Sequence, residues 1–250
     1  MPEPTADPLA RLAGLEGVSS SMAATRDGID ALLRDRGLRR SAPGLTGESL
    51  LRGAHASAVL DGSGSSLADV RAGSNGPVAR AAVRVNTELL GLVPVLATSP
   101  RQALARIHML AGKGEVGDDD LGRPRSAETA DRLGALARLL VAGTAAPALV
   151  VTAVVHAEIV STAPFVSHNG IVARAAERLV LVARGVDPKS LVVPEAGHLA
   201  LRREYESNLR GYREGGSSGV QAWLLYCAEA YAAGAEASPL VSGSGENAFE

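Results

Sequence analysis

One Trp, four Tyr and two Phe are the only rings of their kind in 250 residues. A core with so few large side chains has to be filled by Ala, Leu and Val. An Ala-, Leu- and Arg-rich chain with little Lys strongly favours helix over strand. Hydrophobic residues make up 46% of the chain, which excludes a disordered polymer. The length suffices for one large domain with a sizeable core.

Charge and cysteine content narrow the function classes. The net charge of −2 offers no basic face for nucleic acid. A single Cys227 excludes an internal disulfide, and no CxxC or Cys/His cluster suggests zinc, so a reducing cytoplasm is the default compartment. The N-terminal MPEPTADPLARLAG is acidic and Pro-broken and has no apolar core of a signal peptide. Residues 139–155, LLVAGTAAPALVVTAVV, run 17 residues without a charge, the short end of a membrane span. Gly143 and Pro147 interrupt the run, which reads as a helix end, a tight turn and a buried helix.

The periodicity predicts an almost entirely helical domain. Helices are expected at about 20–36 and from Glu48 to a Gly stop at Asp61-Gly62, followed by a new N-cap in SGSSLAD. Further helices are expected at 76–96, 100–111, 128–142, 147–161, from Gly170 to Gly185, 196–214 and 217–235. GKGEVGDDDLGRPRSA (112–127) reads as a loop with room for a short hairpin. The expected organisation is a helical and flexible segment over 1–45, a domain over 46–235 and a mobile tail over 236–250.

APFVSHNGIVAR (163–174) lies between two helical runs. A helix N-terminus exposes unpaired backbone N–H groups and the positive end of its dipole, and small residues before it let an anion approach. Asn169-Gly170 ahead of IVARAAER fits that description, with Arg174 one turn into the helix. The residues alone also fit an ordinary turn chosen for its backbone shape.

The longer run VVHAEIVSTAPFVSHNGIVARAAERLVL resembles the Fic (Fido) family, whose signature is H-x-F-x-D/E-G-N-G-R-x-x-R after a helix of the type HxxFxxI. His156 matches the upstream His; Phe165, Asn169, Gly170 and Arg174 match four signature positions. RQALARIHMLAG, LGRPR at 121–125 and RREYESNLRGYREGGSSGVQAWLLYCAEAY stand where the family's IH helix, flap and closing helices stand, so the likeness spans about 48–235. HASAVLDGS resembles the family's inhibitory helix S-x-x-x-E-G through Ser57, Asp61 and Gly62, with Asp for Glu. The resemblance implies an all-α Fido-type bundle with a small β-hairpin flap. It further implies an acidic residue, here Asp61, paired with Arg174 so as to block a productive triphosphate pose.

The resemblance also implies transfer of AMP from ATP to a protein hydroxyl. That chemistry uses a His as base, an acidic residue for Mg²⁺ and a first Arg for the phosphates. Those positions here are Ala163, Ser167 and Ile171, and His168 replaces the Gly before Asn169. Ala accepts no proton, Ser is a poor sole ligand for Mg²⁺, and Ile removes a guanidinium. A positioned base contributes about 10² to 10⁴ in rate and a charge-stabilising donor about 10² to 10³.

Three readings follow. The first is a degenerate member that lacks AMP transfer and serves as a regulatory module. It binds ATP, another nucleotide or an anion through His168, Asn169, Gly170 and Arg174. The second is an altered enzyme with His168 as substitute base. The third is a structural interaction protein, alone or as a homodimer with a protein partner of unknown identity, in which Asp61 and Arg174 form a core pair. His55, His108 and His198 are scattered, and their spacing points to no metal; neither nucleic acid nor membrane is an expected partner.

Overall fold

The computed structural model describes residues 7–34 and 38–243. The described chain is helical throughout. Helix α1 is Pro8–Ala13, α2 Val18–Leu33, α3 Leu38–Leu60, α4 Leu67–Ala72 and α5 Pro77–Glu88. A 3₁₀ turn, Leu89–Leu92, leads to α6 (Val93–Thr98) and α7 (Pro100–Gly112). Then come α8 (Ala127–Val141), α9 (Ala148–Thr162), α10 (Asn169–Ala183), α11 (Pro194–Ala200), α12 (Arg202–Glu214), α13 (Ser217–Glu236) and α14 (Pro239–Gly243).

Local chemistry explains many of the boundaries. Asp7 accepts N–H bonds at the start of α1, and Ser66 with Asp69 forms a reciprocal cap on α4. Pro77 and Pro100 open α5 and α7, where no N–H is needed. Gly185 takes a left-handed φ of 68° just past α10. The uncharged stretch at 139–155 is the end of α8, a turn and the start of α9. Ser238 is buried and α14 follows it; the rest of the expected tail, 244–250, lies outside the described residues.

Four expectations need correction, and one is the helix at 76–96, which is α5, the 3₁₀ turn and α6 in succession. The hairpin flap is absent among the described residues, because N–H groups of 112–127 are spent on carbonyls three or four residues back, from Glu115 and Val116 onto Gly112 and from Asp120 and Leu121 onto Gly117. A ladder needs those donors free to point across. Helix 196–214 is two helices broken at Leu201: α11 carries buried Glu195 and His198 toward α10, whereas α12 is an amphipathic cover on α9 and α13. Finally, α3 begins at Leu38, ten residues before Glu48.

Helix α10 is the axis of the bundle. It packs along α9 and meets α3, α5, α6, α7 and α11. Every residue from Ile171 to Leu181 is buried, including Arg174, Glu177 and Arg178. The apolar α9 is likewise buried from Leu149 to Ala157, as expected of a helix without a polar face. The lone Trp223 is fully covered beside it and donates its indole N–H to the Ala153 carbonyl at 2.9 Å. Phe165 is buried just past the C-terminal end of α9.

Candidate functional site: the N-terminal end of α10

The loop from α9 to α10 is built tightly. Ala163 ends α9 in the left-handed region at φ 42°. The Asn169 side chain accepts from Phe165 N–H at 3.0 Å and donates to Phe165 C=O at 2.8 Å, closing the loop on itself. Phe165 is buried and stacks on His108 of α7 at 4.3 Å, nearly parallel. His108 Nδ1 accepts the Gly122 N–H at 2.9 Å, and Arg125 donates to the carbonyls of Ala163 and Pro164, each at 2.8 Å. Arg125 therefore binds the loop backbone, and Gly122 binds the ring stacked on Phe165, without a strand in 121–125. Burial, reinforced by His168 nearby, pushes the His108 pKa down to about 4.

His168 precedes α10 at φ 57°, a left-handed conformation that His adopts more readily than most residues. Its side chain is only 11% exposed. Nδ1 lies 2.7 Å from Ser167 Oγ and Nε2 lies 3.4 Å from Glu115 Oε2. Ser167 is thus a partner of His168, and Ile171 is buried in the core. Of the candidates for chemistry, Ala163 is a helix cap, Ile171 is packing, and His168 is held by two neighbours.

Arg174 is buried, and each of its three nitrogens has a partner. Nε donates to Ser57 Oγ at 2.9 Å, Nη2 to Ser57 C=O at 3.0 Å and to Asp61 Oδ1 at 2.6 Å, and Nη1 reaches the Tyr205 hydroxyl at 3.4 Å. Burial alone would weaken its charge. The Asp61 carboxylate and Tyr205 outweigh that and hold its pKa above the ordinary arginine value. Asp61 compensates for its short side chain by coming close. A Cβ on Gly170 would lie 2.6 Å from Asp61 Oδ1, so the carboxylate rests where any other residue would place a side chain. The carboxylate faces the positive end of α10, the place an external anion would take.

The helical architecture as a whole has counterparts among solved structures. The chain aligns with a Fic family protein from Desulfovibrio desulfuricans G20 at a TM-score of 0.74 and 17% identity, over 92% of this chain and 76% of that one. It aligns with Fic-1 from C. elegans at 0.71 and 15%, over 91% and 72%, and with a single-substitution form of that protein at 0.65 and 16%, over 86% and 70%. The fold is the Fic fold. No family model and no curated protein sequence matches the chain, so the likeness is carried by backbone architecture.

Inside this Fic fold a second polar group lies behind Arg174, and spacing did not reveal it. Tyr205 joins Arg174 to His156, whose Nε2 lies 3.0 Å from the Tyr205 hydroxyl. Burial raises the Tyr205 pKa to about 12, so it stays a neutral phenol. Behind His156 are Glu177 and His198, all three fully buried. Burial would push the Glu177 pKa up, but His156 and His198 outweigh it and hold the carboxylate well below its usual range. Burial lowers the His156 pKa, and Glu177 offsets only part of that. The available signal was the acidic residue in ARAAERLVL, three positions after Arg174 on an otherwise buried helix.

Proposed function

We propose that this Fic-fold protein is catalytically silent and acts as a binding or regulatory module whose anion site is held shut by its own α3. The observation that carries the reading is the Asp61 carboxylate, 2.6 Å from Arg174 and seated over Gly170. Ala163 and Ile171 supply neither the base nor the guanidinium that AMP transfer requires, and the loss of both removes several powers of ten in rate. Ser167 and His168 provide no carboxylate for Mg²⁺. The ligand that fits an opened site is a phosphate-bearing one, such as ATP, bound without metal through Asn169, Gly170, His168 and Arg174.

Calorimetric titration with ATP tests the reading, with and without Mg²⁺. The unaltered protein gives no saturable heat. Asp61→Gly binds weakly and independently of Mg²⁺, and adding Arg174→Ala abolishes that binding. Labelled AMP appearing on any protein in a lysate, and vanishing with Arg174→Ala, overturns the proposal. A second reading, a non-catalytic interaction scaffold, is favoured by the engagement of all three Arg174 nitrogens within the chain. Silence of Asp61→Gly at millimolar ATP selects it.

A further inference from the structure

Glu177, at the centre of the bundle, is a carboxylate without a guanidinium. Its helix neighbours Arg174 and Arg178 are engaged elsewhere, the first with Asp61 and the second with Glu195 at 2.6 Å. What surrounds Glu177 is nitrogen and hydroxyl. His156 Nδ1 lies 3.0 Å from Oε2, His198 Nε2 lies 3.1 Å from both oxygens, and the Tyr231 hydroxyl donates to Oε1 at 2.8 Å. One ligand atom from each of His156, Glu177 and His198 falls within 4.8 Å of the other two.

Two details single this cluster out from an ordinary buried network. His156 Nδ1 lies 3.0 Å from Glu177 Oε2, yet this fully buried nitrogen makes no well-aligned hydrogen bond. The far nitrogens are anchored, His156 Nε2 to Tyr205 at 3.0 Å and His198 Nδ1 to Tyr226 at 2.7 Å. Anchoring the nitrogen that faces away is what orients an imidazole as a metal ligand. Donor atoms around a tetrahedral ion at Zn²⁺ bond lengths lie about 3.3 Å apart. The two His–Glu177 separations, 3.0 and 3.1 Å, need small outward shifts, and the two imidazole nitrogens, within 4.8 Å, draw together around the ion.

We propose that His156, Glu177 and His198 form a structural site for one borderline divalent transition ion of the Zn²⁺ type. Two imidazoles and one carboxylate select such an ion over Mg²⁺ or Ca²⁺, which prefer oxygen donors. The ligands come from α9, α10 and α11, so the ion ties together the helices on which Arg174 and its loop are mounted. Three protein donors leave a fourth position, and burial on all sides shuts it off from substrate, so the role is one of supporting the fold.

Elemental analysis of the purified full-length protein and refolding with Co²⁺ after chelator stripping test the site. The expected result is one equivalent of retained metal and, with Co²⁺, the visible absorption bands of a low-coordinate ion, displaced by Zn²⁺. Zn²⁺ raises the melting temperature of the stripped protein. The bands persist in His168→Gln and disappear in Glu177→Gln and His198→Gln. Absence of retained metal and of Co²⁺ bands in the unaltered protein overturns the proposal. This readout does not depend on the variants folding. Metal binding that survives in Glu177→Gln places the ion elsewhere and overturns it equally.

Discussion

Arg174 and Arg178 stand one turn apart on α10, and each meets a carboxylate, but the two pairs are enclosed differently. Arg178 grips Glu195 with two parallel bonds of 2.6 and 3.0 Å, adds Ser49 and Ser190, and both charged side chains are 1% exposed. Arg174 is as deeply buried, but Asp61 keeps a quarter of its side chain in solvent. In both cases a glycine admits the pair. A Cβ on Gly53 would meet Arg178 and Glu195 at 2.6 and 2.9 Å, as one on Gly170 would meet Asp61. The same chemistry thus serves as a fixed core joint between α3, α10 and α11 in one place. In the other it is a joint whose acidic half can swing into water.

The largest expected effect is at the core joint. Arg178→Ala strands Glu195 without water and lowers stability by about 3–5 kcal/mol, read by denaturant unfolding. Arg174→Ala costs less, about 2–3 kcal/mol in the same measurement, because Asp61 can rehydrate once released. Equal losses in the two variants would erase the distinction. Asp61→Gly costs about 1–2 kcal/mol, and millimolar inorganic phosphate restores part of its melting temperature. Phosphate has no such effect on Glu195→Ala, whose vacancy is sealed. Restoration of both variants, or of neither, would break the comparison.

The smallest effect concerns the loop that seats the rim joint. His108 carries a folded pKa of about 4 against an ordinary 6.5. Between those values the unfolded chain holds a proton that the folded chain refuses. Stability therefore falls as pH drops from about 6.5 to about 4 and flattens below. His108→Gln removes that part of the slope, measured as melting temperature against pH. An unchanged slope would mean that His108 is not the group responsible.

Much of the helical scaffold was legible in the chain. The Ala- and Leu-rich periodicity and the Ser, Pro and Gly punctuation mark α8, α9, α10 and α13 to within a residue or two, since caps and repeat spacing are local signals. The ordered motif positions Phe165, Asn169, Gly170 and Arg174 pointed to the Fic fold that the architecture bears out. The hairpin over 112–127 and the unbroken helix over 196–214 were misjudged. Neither the local turn bonds of the first nor the inward pull of Glu195 and His198 on the second is written in periodicity.

Sequence alone determined that the chain is helical and where the loop at 163–174 lies, because repeat spacing and helix stop signals are local. Only the tertiary structure decided that Asp61 closes on Gly170 and pairs with Arg174. It alone gathered His156, Glu177 and His198, residues 21 apart in the chain at each step, around one buried point. Such contacts depend on how α3, α9, α10 and α11 cross, and a crossing is set by packing across the whole bundle rather than by any local run of residues.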